Sequence, residues 1–117
     1  MRLADIKGKR LLTTISTCTE AIGRVMEDED VKALFTKEEA PEGEDARAFA
    51  MRRITKALPG ILDRHADDII LALGTLASNT PEGRQAGMTV ERYAEEGDVL
   101  TDLVSLLNDR DFLSFLA

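Results

Sequence analysis

The stretch that decides the fold is ADDIILALGTLA, residues 66–77. On a helical wheel Ile69, Ile70, Leu71, Ala72, Leu73, Leu76 and Ala77 cover nearly every direction, and a helix that is apolar all round is normally the buried centre of its domain. A central helix at about 66–77 is therefore expected, with the remaining chain wrapped around it. It is too short to span a bilayer, and the chain nowhere offers the run of about eighteen apolar residues that a span requires.

Upstream of this centre, Phe49, Met51, Ile54, Ala57 and Leu58 recur at helical spacing, interleaved with Arg47, Arg52, Arg53 and Lys56. Pro59-Gly60 interrupts the pattern, since proline permits a new helix to start but does not let an old one continue unbent. Residues 36–44 read as a connection: Thr36 to Glu39 has the form of a capping box, yet Pro41-Glu42-Gly43 follows at once. From Lys9 to Met26 the residues Leu11, Ile15, Cys18, Ile22, Val25 and Met26 step by threes and fours, one stripe of an amphipathic first helix. The acidic run Glu27 to Asp30 suits the amino end of a following short helix whose apolar side is Val31, Leu34 and Phe35.

Downstream, Thr80-Pro81-Glu82 has the make-up of a helix start, but Gly83 and Gly87 mark about 79–88 as a flexible loop. A long helix is expected over about 89–108, with Val99, Leu100, Leu103, Val104, Leu106 and Leu107 in an apolar arc opposite Thr101, Asp102 and Ser105. Asn108-Asp109 stops it, and Asp111 could cap a final turn carrying Phe112, Leu113, Phe115 and Leu116. Alternating β-branched runs and hairpin dipeptides are missing. The expectation is an all-α, single-domain helical bundle of about five to six helices over residues 1–117.

Composition narrows the function. There are 22 Asp plus Glu against 15 Lys plus Arg, a net charge of −7, a field that repels phosphate backbones and argues against nucleic-acid binding. A single cysteine excludes an internal disulfide, and the amino end has no apolar leader. Those features, with no membrane span, give the expectation of a reducing cytoplasm.

Residues with chemistry are few. His65, near Asp67 and Asp68, could be imagined as a general base or half a metal site, but the further ligands or positioned nucleophile are not spelled out. The favoured reading is a polar residue at the entry of the central helix. Cys18 lies on the apolar stripe of the first helix, where cysteine behaves as a small hydrophobe. The 27–30 acidic run lacks EF-hand spacing and reads as a solvated face. The glycines form no phosphate loop. The basic cluster Arg47, Arg52, Arg53 and Lys56 reads as a solvated helix face, with docking of an acidic partner segment as the alternative. No catalytic, cofactor-binding or metal site is expected, and the chain does not read as an enzyme.

Several short stretches carry a resemblance: Ala4-Asp5-Ile6-Lys7-Gly8, Ala33-Leu34-Phe35 before Pro41-Glu42-Gly43, Leu58-Pro59 then His65 and Asp68-Ile69-Ile70, Thr80-Pro81-Glu82, and Leu103 through Phe115. Together they resemble the small acidic helical tail assembly chaperones of siphophage and prophage tail modules. The resemblance implies a protein that coats the helical tape-measure protein while tail-tube protein polymerises around it. It also implies a place in the bacterial host cytoplasm and absence from the mature virion. The apolar finish of the chain supplies the expected contacts: Phe112, Leu113, Phe115 and Leu116, with Leu103 and Leu107 beneath them. Two other uses of those residues stand beside that one, closure of the protein's own core and self-association into a homo-oligomer.

Overall fold

Every regular element of the computed structural model is helical among the described residues, which are 2–36 and 38–116 without the side chains of Phe35, Leu107, Phe115 and Leu116. A single 3₁₀ turn, Leu3–Asp5, precedes seven α-helices: α1 (Gly8–Met26), α2 (Glu29–Phe35), α3 (Ala46–Asn79), α4 (Pro81–Ala86), α5 (Val90–Glu96), α6 (Val99–Leu107) and α7 (Arg110–Leu116). The all-α bundle expected from the apolar periodicity is the observed architecture.

Helix α3 is the spine. Its 34 residues correspond to about 51 Å at 1.5 Å per residue, nearly the full 53 Å length of the molecule. Helix α1 runs along the second half of α3, tied by Arg24 to Asp68 (2.8 Å), by the Cys18 thiol to the Ala72 carbonyl (3.5 Å) and by Asn79 to Thr14 (2.8 Å). Helix α2 lies beside the first half, where Arg53 donates to the Ala33 carbonyl and Arg64 to Asp28 and Asp30. The core sits where α1, α5, α6, α7 and the 3₁₀ turn close on the second half of α3: Leu3, Ile6, Cys18, Ala21, Ala72, Leu73, Leu76, Tyr93, Leu106 and Phe112 are buried together. Each full burial of a Leu, Ile or Phe side chain there contributes about 1.5–3 kcal/mol. Gly74 lets α5 approach closely, because a Cβ at that position would meet Val90 Cα at 3.2 Å and Tyr93 Cβ at 3.3 Å.

Three expectations are corrected. The break placed at Pro59-Gly60 is absent: α3 continues through Pro59, and the non-helical backbone is six residues later, at His65 (φ −115°, ψ 16°). Pro59 is exposed, so the carbonyl that its missing N–H leaves unbonded lies on the solvent side of the helix. The apolar centre beginning at Ala66 thus coincides with the half of α3 that follows the kink. Secondly, the expected loop at 79–88 contains α4. Thr80 accepts from Gly83 N (3.1 Å) as its N-cap, Pro81 occupies the first turn, and Gly87 ends it in the left-handed conformation (φ 68°). Finally, the single helix expected over 89–108 is two, separated at Gly97-Asp98, which raises the number of helices from the expected five to six to seven. Gly97 takes extended backbone (φ −65°, ψ 144°) while lying against the Tyr93 ring. The acidic run behaves as expected at a helix start: Asp28 caps α2, accepting from Asp30 N at 2.8 Å. Thr36 closes α2, its hydroxyl donating to the Lys32 carbonyl (3.0 Å), and Lys37 of the expected capping box lies outside the described residues.

Candidate protein-interaction surface

The carboxy-terminal segment is fastened to the rest of the chain by one carboxylate. Asp109, only 8% exposed, accepts from Leu3 N at 2.9 Å through Oδ2, and from Asp111 N (3.0 Å) and Phe112 N (3.4 Å) through Oδ1. It therefore caps α7 and holds the amino-terminal turn at once, satisfying backbone donors that burial would otherwise leave unpaired. Asp111, expected as the cap, is instead an exposed residue of the first turn. Phe112 turns inward beside Leu3, Thr14, Cys18 and Leu76, around a cleft of about 10 Å³, room for a single water at most.

Of the six residues expected to meet a partner, Leu103 is half-buried against the core, Phe112 is buried within it, and Leu113 is exposed. The side chains of Leu107, Phe115 and Leu116 lie outside the described residues. Helix α6 adds two residues the sequence placed on the inner arc. Leu100 is 74% exposed and Val104 50%, one turn apart on an outer face with Thr101 and Asn108. Asp102, expected on the polar side, points in and accepts from the buried Tyr93 hydroxyl at 2.7 Å. Burial and this carboxylate push the Tyr93 hydroxyl pKa up.

A second apolar face lies on the first half of α3. Met51, Ile54, Leu58 and Leu62 recur at three- and four-residue steps and are 41 to 56% exposed. The basic residues around this stripe are partly engaged: Arg52 donates to Glu44 (3.0 Å), Arg53 pairs with Glu38 (3.3 Å), and both guanidinium groups lie over the Phe49 ring at 5.3 and 5.7 Å. Arg47 and Lys56 are exposed and in no ion pair among the described residues.

His65 does not meet Asp67 or Asp68. Its Nε2 stands 2.6 Å from Asp28 Oδ2, while Arg64 donates to Asp28 (2.9 Å) and Asp30 (2.8 Å). Asp28 is thus the hub between the α1–α2 turn and the kink of α3, and the hydrogen bond from His65 holds its carboxyl down to about 2. Only one member of the acidic run, Asp28, departs from a solvated face, its side chain 11% exposed. Among the described residues no group of three or more His, Cys, Asp or Glu is arranged to hold a metal ion. Cys18 is the small buried hydrophobe its position on the stripe predicts, and burial lifts its thiol to about 11. No described helix is long and apolar enough to cross a membrane.

What stands out is surface rather than chemistry: two apolar helix faces left exposed among the described residues. Comparisons with protein-family models, with curated proteins and with solved structures give no match.

Proposed function

We propose that this chain is a non-enzymatic assembly chaperone of the phage-tail kind, which shields an apolar helical client, the tape-measure protein, while tail-tube protein polymerises, and acts in the host cytoplasm without entering the virion. The observation that carries the reading is the outer face of α6, where Leu100 and Val104 stand in solvent on a helix whose other side is core. A helix that is apolar on both faces is ordinarily covered on both. With Leu113 of α7 also exposed, this region offers an amphipathic client helix a place to lay its apolar side. Leu103 packs against the core and Phe112 lies within it, and Leu107, Phe115 and Leu116 remain contacts assigned from the sequence. The resemblance to tail assembly chaperones names the client.

The test is co-expression with a phage tape-measure protein, the client this reading names. Leu100→Ser together with Val104→Ser changes two solvent-facing residues, so circular dichroism should be unaltered while the soluble fraction of client falls to that seen without chaperone. Full protection of the client by a folded double variant would overturn the reading.

A further inference from the structure

We propose that the amino-terminal turn and α7 form one latch that opens as a unit while the helices beneath it stay folded, uncovering an apolar cleft lined by Thr14, Ile15, Cys18, Ile22 and Leu76. The two segments hold each other. Among the described residues, the bond from Leu3 N to Asp109 Oδ2 is the only hydrogen bond that joins residues 2–5 to anything beyond Ile6. The same carboxylate starts α7 through Asp111 N and Phe112 N. Phe112 is the only buried side chain among those described on α7, and Arg110, Asp111 and Ser114 make no side-chain hydrogen bond or ion pair among the described residues. Phe112 and Leu3 together cover the cleft.

Both ends of the latch meet structure that is complete without it. Asn108 finishes α6: its N–H bonds to the Val104 carbonyl at 3.2 Å and its side-chain amide donates to the same carbonyl at 2.9 Å, so the last turn of α6 stays closed when α7 leaves. On the other side Ile6 is fully buried in the core and α1 begins at Gly8. Opening removes Leu3 and Phe112 from the core cluster and leaves Ile6, Cys18, Leu73, Leu76, Tyr93 and Leu106 packed. A unit with so few buried side chains, its hydrogen bonds gathered on one carboxylate, belongs to the low end of local opening energies. The segments move together because each loses the same contacts when the other leaves. Release of α7 takes Asp109 from the Leu3 N–H and Phe112 from beside the Leu3 side chain; release of the turn uncovers both. The latch therefore sets how much apolar surface the chain shows. Closed, α7 offers Leu113 to solvent; open, Leu3, Phe112 and the cleft are added.

The inference is independent of the client reading and is tested with the chain alone. Cys18, the only cysteine, lies under the latch and reports its opening. While buried its thiol is held up at about 11 and stays protonated at about pH 8; uncovered, it regains its ordinary acidity and reacts with dithiobisnitrobenzoate. Labelling is followed in urea below the unfolding transition, beside amide exchange at Leu3 and Leu113 for the latch and at Leu73 for the core. Cys18, Leu3 and Leu113 should share one opening constant, at least about tenfold above that of Leu73, with a urea slope well below the m-value of global unfolding. Asp109→Asn, which takes the acceptor from Leu3 N, should raise all three by about tenfold. Phe112→Leu, which trims the side chain over the cleft and leaves the carboxylate alone, should raise them severalfold and replaces the first variant if that fails to fold. Labelling of Cys18 with the full urea slope of unfolding, unequal opening constants at Leu3 and Leu113, or rates unchanged in a folded variant would each overturn the proposal.

Discussion

Asp109→Ala tests whether the end of the chain is held by the bonds described. The substitution removes an N-cap from α7, worth about 1 kcal/mol, and leaves the buried Leu3 N–H without an acceptor, which costs about 1–3 kcal/mol. The two losses sum to roughly 2–4 kcal/mol, or a fall in Tm on the order of 10 °C for a domain of this size. Asp109→Asn separates them. Its Oδ1 still accepts from Asp111 and Phe112, but its amide nitrogen faces Leu3 N with a donor, so only the second loss remains. Urea unfolding followed at 222 nm should rank wild type above Asn above Ala at unchanged m-value. An alanine variant within about 0.5 kcal/mol of wild type, the ordinary scatter of surface substitutions, would refute the account of Asp109 as the fastening of α7 and the amino-terminal turn.

Two further outcomes follow from other sites. The Asp28 carboxyl is held at about 2 in the folded chain against an ordinary 3.8; a depressed folded value means its stabilisation is complete above about pH 4 and is lost as the pH falls toward 2. Tm should therefore decline less steeply between about pH 5 and 2 in Asp28→Asn than in wild type, and parallel declines would remove the carboxyl from that role. At Gly97 a Cβ would lie 2.5 Å from the Tyr93 carbonyl oxygen and 2.7 Å from its ring, so Gly97→Ala should destabilise by about 1–3 kcal/mol through overpacking, read as a fall in urea midpoint; an unchanged midpoint would show that the Tyr93 backbone and ring both give way freely.

Local signals carried most of the architecture. The stripe from Leu11 to Met26, the anionic start at Asp28 and the all-round apolar run after His65 are properties of neighbours in sequence, and each marks a real helix. The Pro59 break failed because proline's penalty depends on where the vacant carbonyl points, which is set by tertiary position. The kink at His65 was illegible for a related reason, since the partner beside it, Asp28, is 37 residues away. The division at Gly97-Asp98 was open to view: a glycine followed by an aspartate is a signal for a helix stop and start, overlooked because Val99 to Leu107 continued the apolar pattern. The partner surface was thus legible as composition, in the crowded leucines of 99–116, but not as orientation. The basic stripe of α3 was visible as Arg and Lys interleaved with apolar residues, though nothing local shows that no other helix covers it.

The kink at His65 also has a mechanical consequence. The first half of α3 is a rigid rod of about 28 Å from His65 to Ala46, at 1.5 Å per residue, braced near its root by the contacts of Asp28 with Arg64 and His65. It is a lever with a short arm at the carboxylate and a long arm at the tip. A turn of about 10° at the root sweeps the tip through about 5 Å, roughly the spacing of one helical turn. A small rotation at Asp28 is therefore amplified at the far end of the rod to about one helical turn, or roughly three to four residue positions.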